Sequence, residues 1–195
     1  MTRLAAVLLA PALLLVAAPA APIPKEKPQT PYYPTQKGAK WVYHFNGDDA
    51  PLVVTGVEEK DGAVIVSEEF RTNLATQPVV RTKVSVSGKG LFLVAALDRA
   101  VDPPIGLLKL PHKPGNKWEN TGRNPDRTET CTAFGPEEVE VPAGKYQAIR
   151  VEAEFAIGGK PYRSTAWYAP GVGLVRKVHP DGEVQVLKSF TPGKD

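Results

Sequence analysis

Polarity reverses every second residue over much of this chain, and few folds accommodate that. Val80, Thr82, Val84 and Val86 alternate with Arg81, Lys83, Ser85 and Ser87, and Ile149, Val151, Ala153, Phe155 and Ile157 alternate with Arg150, Glu152 and Glu154. An extended chain written this way has one dry and one wet face, the signature of half-buried antiparallel strands. Asp61-Gly62, Gly88-Lys89-Gly90, Gly158-Gly159 and Asp181-Gly182 supply the positive φ of short hairpin turns between such runs. The pattern predicts strands over 40–46, 51–60, 63–72, 78–87, 90–98, 116–120, 126–134, 137–142, 145–157, 161–169, 173–179 and 183–190. Leu91 to Leu97 is apolar without alternation, which predicts cover on both faces and a central position in the sheet. The one candidate for a helical turn is Asp102 to Pro111, with prolines acceptable at its start and forbidding at its end. So many short strands cannot lie in one flat sheet, because their twist curls a wide sheet over on itself. The expected fold is therefore all-β: a curled antiparallel sheet, half-barrel or barrel-like meander, with at most one short helix.

The N-terminus reads as an export address. Met1, Thr2 and Arg3 make a short basic start, Leu4 to Val16 is an apolar run, and Ala18-Pro19-Ala20 offers the small residues of a cleavage site. At about thirteen residues the run falls short of the roughly 20 needed to cross a hydrocarbon core, so 1–20 is expected to be a removed signal peptide and the mature chain to lack a membrane span. Pro22, Pro24, Pro28, Pro31 and Pro34 then stand among Lys25, Glu26, Lys27 and Gln29, a composition that favours extended polyproline geometry. Residues 21–38 are expected to form a proline-rich arm and 39–192 a single β domain. A mature chain of about 175 residues can bury about 70% of its unfolded surface without disulfide staples.

Charge and residue inventory exclude several functions. The formal net charge is only +3, with acidic and basic residues mixed along the chain, so no basic stripe exists to neutralise a phosphate backbone and nucleic acid is not an expected partner. Cys131 is the single cysteine, which rules out an internal disulfide and a lipid-bearing cysteine beside the signal; in its strand-like surroundings it reads as a buried small apolar group. His44, His112 and His179 lie far apart, without metal-ligand spacing, so no metal site and no cofactor are expected. The neighbours Glu58-Glu59, Glu68-Glu69 and Glu137-Glu138 would point to opposite faces of a strand and cannot converge on one bond, while Asp48-Asp49 falls beside the Asn46-Gly47 turn. Nucleophile-elbow, Ser-x-x-Lys and phosphate-loop patterns are absent, so no catalytic residue is assigned and the chain is not expected to be an enzyme.

Gly38-Ala39-Lys40-Trp41 is echoed by Gly115-Asn116-Lys117-Trp118. In each a glycine permits a turn and a tryptophan then opens a strand by burying its ring; two instances do not establish a duplication. Tyr32-Tyr33-Pro34-Thr35-Gln36-Lys37-Gly38-Ala39-Lys40-Trp41-Val42-Tyr43, Val141-Pro142-Ala143-Gly144-Lys145-Tyr146 and Trp167-Tyr168-Ala169-Pro170-Gly171-Val172-Gly173 occur in that order. In these motifs the chain resembles a group of small exported bacterial β-proteins of unassigned function, and it is more loosely similar to the lipoprotein-carrier half-barrels. The resemblance implies a curled antiparallel sheet and carries no functional residue with it.

The expected role is that of a non-catalytic, periplasmic or extracellular protein of the cell envelope that binds an apolar or extended ligand, or another envelope protein, in a concave sheet face. Trp41, Tyr43, Trp118, Trp167 and Tyr168 are the candidate ligand-binding residues, because aromatic side chains supply large contact area; core packing is the competing role for each. The alternatives are an assembly protein that pairs through its edge strands or the proline-rich arm, and a small extracellular hydrolase.

Overall fold

The computed structural model describes residues 30–71, 79–121 and 128–194. The expected signal peptide and Pro22, Pro24 and Pro28 of the arm lie outside the described residues. Twelve strands form one sheet: β1 (Lys40–Phe45), β2 (Asp48–Lys60), β3 (Ala63–Arg71), β4 (Val79–Ser87), β5 (Gly90–Ala96), β6 (Arg99–Lys109), β7 (Lys117–Asn120), β8 (Glu129–Val141), β9 (Gly144–Ile157), β10 (Lys160–Ala169), β11 (Gly173–Val178) and β12 (Val184–Thr191). Consecutive strands pair antiparallel, except β6 and β7, and β1 also pairs with β12, so the order runs β6-β5-β4-β3-β2-β1-β12-β11-β10-β9-β8-β7. The meander curls into a nearly closed barrel with one seam, between β6 and β7. No helix occurs among the described residues.

Three expectations are corrected in detail. Residues 102–109 are not helical but belong to β6. Residues 101–104, with Pro103 and Pro104, bulge out between the pairs Leu93↔Ile105 and Ala95↔Ala100, so no ladder position depends on a proline nitrogen. The strands expected over 126–134 and 137–142 are one strand, β8, bent by a bulge between Phe134 and Pro136. Leu91 to Leu97 is not central and not covered on both sides: β5 stands next to the end of the strand order, and Phe92 on its outer face is only half-buried.

The alternating apolar residues point into the barrel and fill it. Trp41, Leu91, Leu108, Ile149, Val175 and Leu187 are almost completely buried there. The β8–β9 hairpin folds its tip back, with Ala143 N–H donating to the Leu187 carbonyl at 3.1 Å, and buries Val139 and Val141. From Thr30 onward the proline-rich arm is tied to the barrel: Gly171 N–H donates to the Pro31 carbonyl at 2.7 Å, Tyr33 is buried against Trp41, and Lys194 N–H reaches the Lys37 carbonyl.

The two halves of the barrel, β1–β6 and β7–β12, repeat one plan. Gly38 and Gly115, both at positive φ, precede Trp41 and Trp118. Gly38 N–H donates to Val54 O and Val54 N–H to Ala39 O; in the second half Gly115 N–H donates to Ala133 O and Ala133 N–H to Asn116 O. The second strand of each half is bulged just beyond that contact, at Val54/Gly56 and at Phe134/Pro136. The fourth and fifth strands of each half share another bulge, at Lys83/Val84 and at Trp167/Tyr168. The sequence echo is therefore the visible part of a structural repeat.

A barrel with this repeat has two junctions between its halves. β1 and β12 close one by a backbone ladder, whereas side chains close the other. Trp118 Nε1–H donates to the Gly106 carbonyl at 2.9 Å, Asn120 Nδ2–H donates to the same carbonyl at 3.1 Å, and Asn120 Oδ1 accepts from Gly106 N–H at 2.9 Å. A Cβ on residue 106 would stand 3.0 Å from Trp118 Nε1, so glycine is what lets the seam close. Asn120→Ala leaves the buried Gly106 N–H without an acceptor and is expected to lower stability by about 2 kcal/mol, read from urea unfolding. A loss below about 0.5 kcal/mol would mean that the seam does not depend on these bonds.

Candidate functional site

Because the inward side chains fill the barrel, space for a ligand lies on the other side of the sheet. The outward residues of β2–β5 line an open trough of about 1180 Å³. Its floor sets Ser67 opposite Lys83, Lys83 opposite Ala95, Ile65 opposite Ser85, and Ser85 opposite Phe92, so that the small Ser67, Ser85 and Ala95 alternate with larger side chains. The hairpin tips at Lys60-Asp61-Gly62 and Gly88-Lys89 form one end. Towards the other end Arg81 joins Glu69 at 2.9 Å and Asp98 at 3.4 Å. The trough thus mixes charged and hydroxyl groups with apolar ones, Ile65, Phe92 and Val94 among them, and the outer face of β5 lies open to it.

Neighbouring carboxylates do diverge across the strand. Glu69 faces the trough and pairs with Arg81, while Glu68 points inward, buried, and accepts the Tyr33 hydroxyl proton at 2.7 Å. Burial pushes the Glu68 carboxyl up to about 7, against a smaller opposing effect of the Tyr33 hydrogen bond. Burial, and then Glu68, push the Tyr33 hydroxyl well above its ordinary range. The sequence names Glu68 only as one of the neighbours Glu68-Glu69 and does not mark it as buried, although it sits in phase with the inward Val64 and Val66.

The five aromatic candidates are not among the residues lining the trough. Trp41 and Tyr43 are buried in the barrel, with Trp41 Nε1–H donating to the Val172 carbonyl at 2.7 Å and the Tyr43 hydroxyl to the Leu174 carbonyl at 2.9 Å. Trp118 closes the seam, and Tyr168 is buried, its hydroxyl pushed up by that burial. Trp167 stands apart: it is half-buried on the outer face of β10, its Nε1–H donating to Glu137 Oε1 at 2.6 Å.

The remaining candidates for chemistry are scattered. Cys131 is buried, its thiol pushed up to about 12 chiefly by desolvation. His44 pairs with Asp49 at 3.0 Å on the surface, His179 meets Gln185 at 3.3 Å, and both ring nitrogens of His112 are buried without a partner among the described residues. Desolvation lowers the pKa of that imidazole. Neither histidine nor cysteine lines the trough, and among the described residues no group of three or more His, Cys, Asp or Glu side chains is placed to hold a metal ion.

Fold and site together define a nearly closed antiparallel barrel with a filled interior and an external trough. Two solved structures share this fold. A protein described as exported, with a YmcC-like fold, from Bacteroides fragilis NCTC 9343 superposes with a TM-score of 0.56 at 15% identity, over 83% of this chain and 99% of its own. A protein described as a lipoprotein from Parabacteroides distasonis ATCC 8503 gives a TM-score of 0.53 at 16% identity, over 85% of this chain and 100% of its own. No protein-family model matches the chain, and no curated protein matches it at a significant level.

Proposed function

We propose that this is an exported, non-catalytic protein of the cell envelope that binds an extended ligand in the trough on the outside of β2–β5. The observation that carries the proposal is the contrast between the two faces of the sheet. The inward side chains form the buried core, while the outside holds a concavity of ligand-binding size lined by hydroxyl, amine and carboxylate groups beside Ile65, Phe92 and Val94. An open trough running along strands suits a linear molecule, with Phe92 offering one flat contact and Ser67, Ser85 and Thr55 offering hydrogen bonds. Envelope location is supported by the N-terminal export pattern and by two fold relatives, one described as exported and the other as a lipoprotein. Assembly through the β6 edge is disfavoured, because the bulged Pro103-Pro104 segment interrupts the backbone groups that a joining strand would need.

Native mass spectrometry of the protein purified from its own host tests this reading. The wild type should carry an additional mass that Ser85→Trp, which fills the trough floor, no longer carries while retaining the wild-type circular dichroism. A wild type with no added mass, or a Ser85→Trp variant that keeps it, would refute the assignment.

A further inference from the structure

The structural repeat makes the outer faces of the two halves comparable position by position. In the first half the row Ser67, Lys83, Ala95 crosses β3, β4 and β5 at the level of the shared bulge and lies in the trough. In the second half the corresponding row is Arg150, Trp167, Arg176, across β9, β10 and β11. A lysine between two small side chains in one half is thus matched by an indole between two guanidinium groups in the other. The Arg150 guanidinium lies 4.2 Å from the Phe134 ring centroid and that of Arg176 lies 5.2 Å from the Trp167 centroid. Glu137 fixes the indole through its Nε1–H.

The arginines of this face are not equivalent. Arg150 has Glu137 and Glu152 as partners, and Arg163 has Glu152 and Glu154. Arg176 has no carboxylate partner among the described residues, and its Nε is buried without an acceptor. A guanidinium 5.2 Å from an indole centroid, with its Nε buried, has lost water on that side, and no carboxylate of the described residues replaces it. Its planar fork of donors matches a carboxylate, and tryptophan and arginine together are the residue types that dominate binding at protein interfaces.

We infer that Trp167 and Arg176 form a second recognition point, on the outer face of the second half, for a carboxylate carried by an acidic peptide segment of a partner protein. The assignment does not depend on what the trough binds.

Fluorescence anisotropy of fluorescein-labelled hexaglutamate, titrated with the full mature protein at low ionic strength, provides the test. Wild type should bind saturably. Arg163→Gln, whose arginine already has two carboxylates, should stay within about threefold of wild type. Arg176→Gln and Trp167→Phe should each weaken the apparent Kd about tenfold or more, by analogy with the loss of a charge-assisted pair worth about 1.4 kcal/mol per tenfold. Ser85→Trp should leave hexaglutamate binding unchanged, which separates this site from the trough. An Arg176→Gln variant within twofold of wild type, a complete absence of binding, loss of binding in Ser85→Trp, or displacement by inorganic phosphate at concentrations as low as unlabelled hexaglutamate would each overturn the proposal.

Discussion

Trp41→Ala is expected to lower the stability of this protein by about 3–5 kcal/mol, a large part of the roughly 5–15 kcal/mol that holds a domain folded. The indole is fully buried and lies 5.5 Å from the Tyr33 ring and 5.7 Å from Phe190, so it joins the N-terminal arm, β1 and β12. Truncation removes the ring and also leaves the Val172 carbonyl without its donor. Trp41→Phe restores most of the volume but not the bond, and should recover all but about 1–2 kcal/mol. The matching change Trp118→Ala differs in one respect: the Gly106 carbonyl keeps a second donor in Asn120, so less of its cost comes from an unmet acceptor. Urea denaturation of the three variants reads these differences. A Trp41→Ala loss below about 1 kcal/mol would show that the arm and the two ends of the barrel ladder are not held through this ring.

Trp41 also shows how far local pattern reaches. The Gly-x-Lys-Trp echo announces a buried tryptophan opening a strand in both places, and the structure has it so. Alternation likewise placed most strands, because a residue's face is fixed by its parity wherever the register is unbroken. What escaped lies where parity breaks. At Leu97-Asp98 the chain turns into β6 with both residues at positive φ and no glycine, a conformation for which leucine carries no signal, and the prolines that suggest a helical turn in 102–111 instead sit in a bulge of that strand. At Gly135-Pro136 turn-forming residues mark a bulge inside one long strand rather than an end.

The candidate site was less legible than the fold, for a related reason. Aromatic residues suggest binding by their area, but the same area drives them into the core, and four of the five candidates are there. The trough rests on Ser67, Ser85 and Ala95, whose significance is that they are small and stand on the outer faces of three adjacent strands. Register between strands is set by turns and bulges, and a single chain read linearly does not display it. The Arg150–Trp167–Arg176 row is invisible for the same reason until β9, β10 and β11 are laid side by side.

A carboxylate in the apolar phase of a strand has consequences that depend on pH, and Glu68 is such a group. In the unfolded chain it titrates near 4.5, whereas burial raises it in the folded protein to about 7. Below pH 4.5 both states are protonated and the contribution of Glu68 is intact. As pH rises from there towards 7, the unfolded chain releases a proton that the folded protein still holds, and stability falls by about 1.4 kcal/mol per pH unit. The whole window amounts to about 3 kcal/mol, lost by the time pH passes the folded value and constant above it. His112, whose imidazole is lowered by burial, acts in the opposite sense on the acidic side, so the wild-type profile alone mixes the two. Comparison with Glu68→Gln separates them, since glutamine cannot ionise and its amide oxygen can still accept the Tyr33 hydroxyl. The stability of the variant relative to wild type, from urea unfolding at pH 5, 6, 7 and 8, should rise by about 2–3 kcal/mol, most of it between pH 5 and 7, and level off by pH 8. Parallel profiles for the two proteins would mean that Glu68 is not held as the acid, and that the pair which seats Tyr33 of the arm against β3 is ionic at neutral pH.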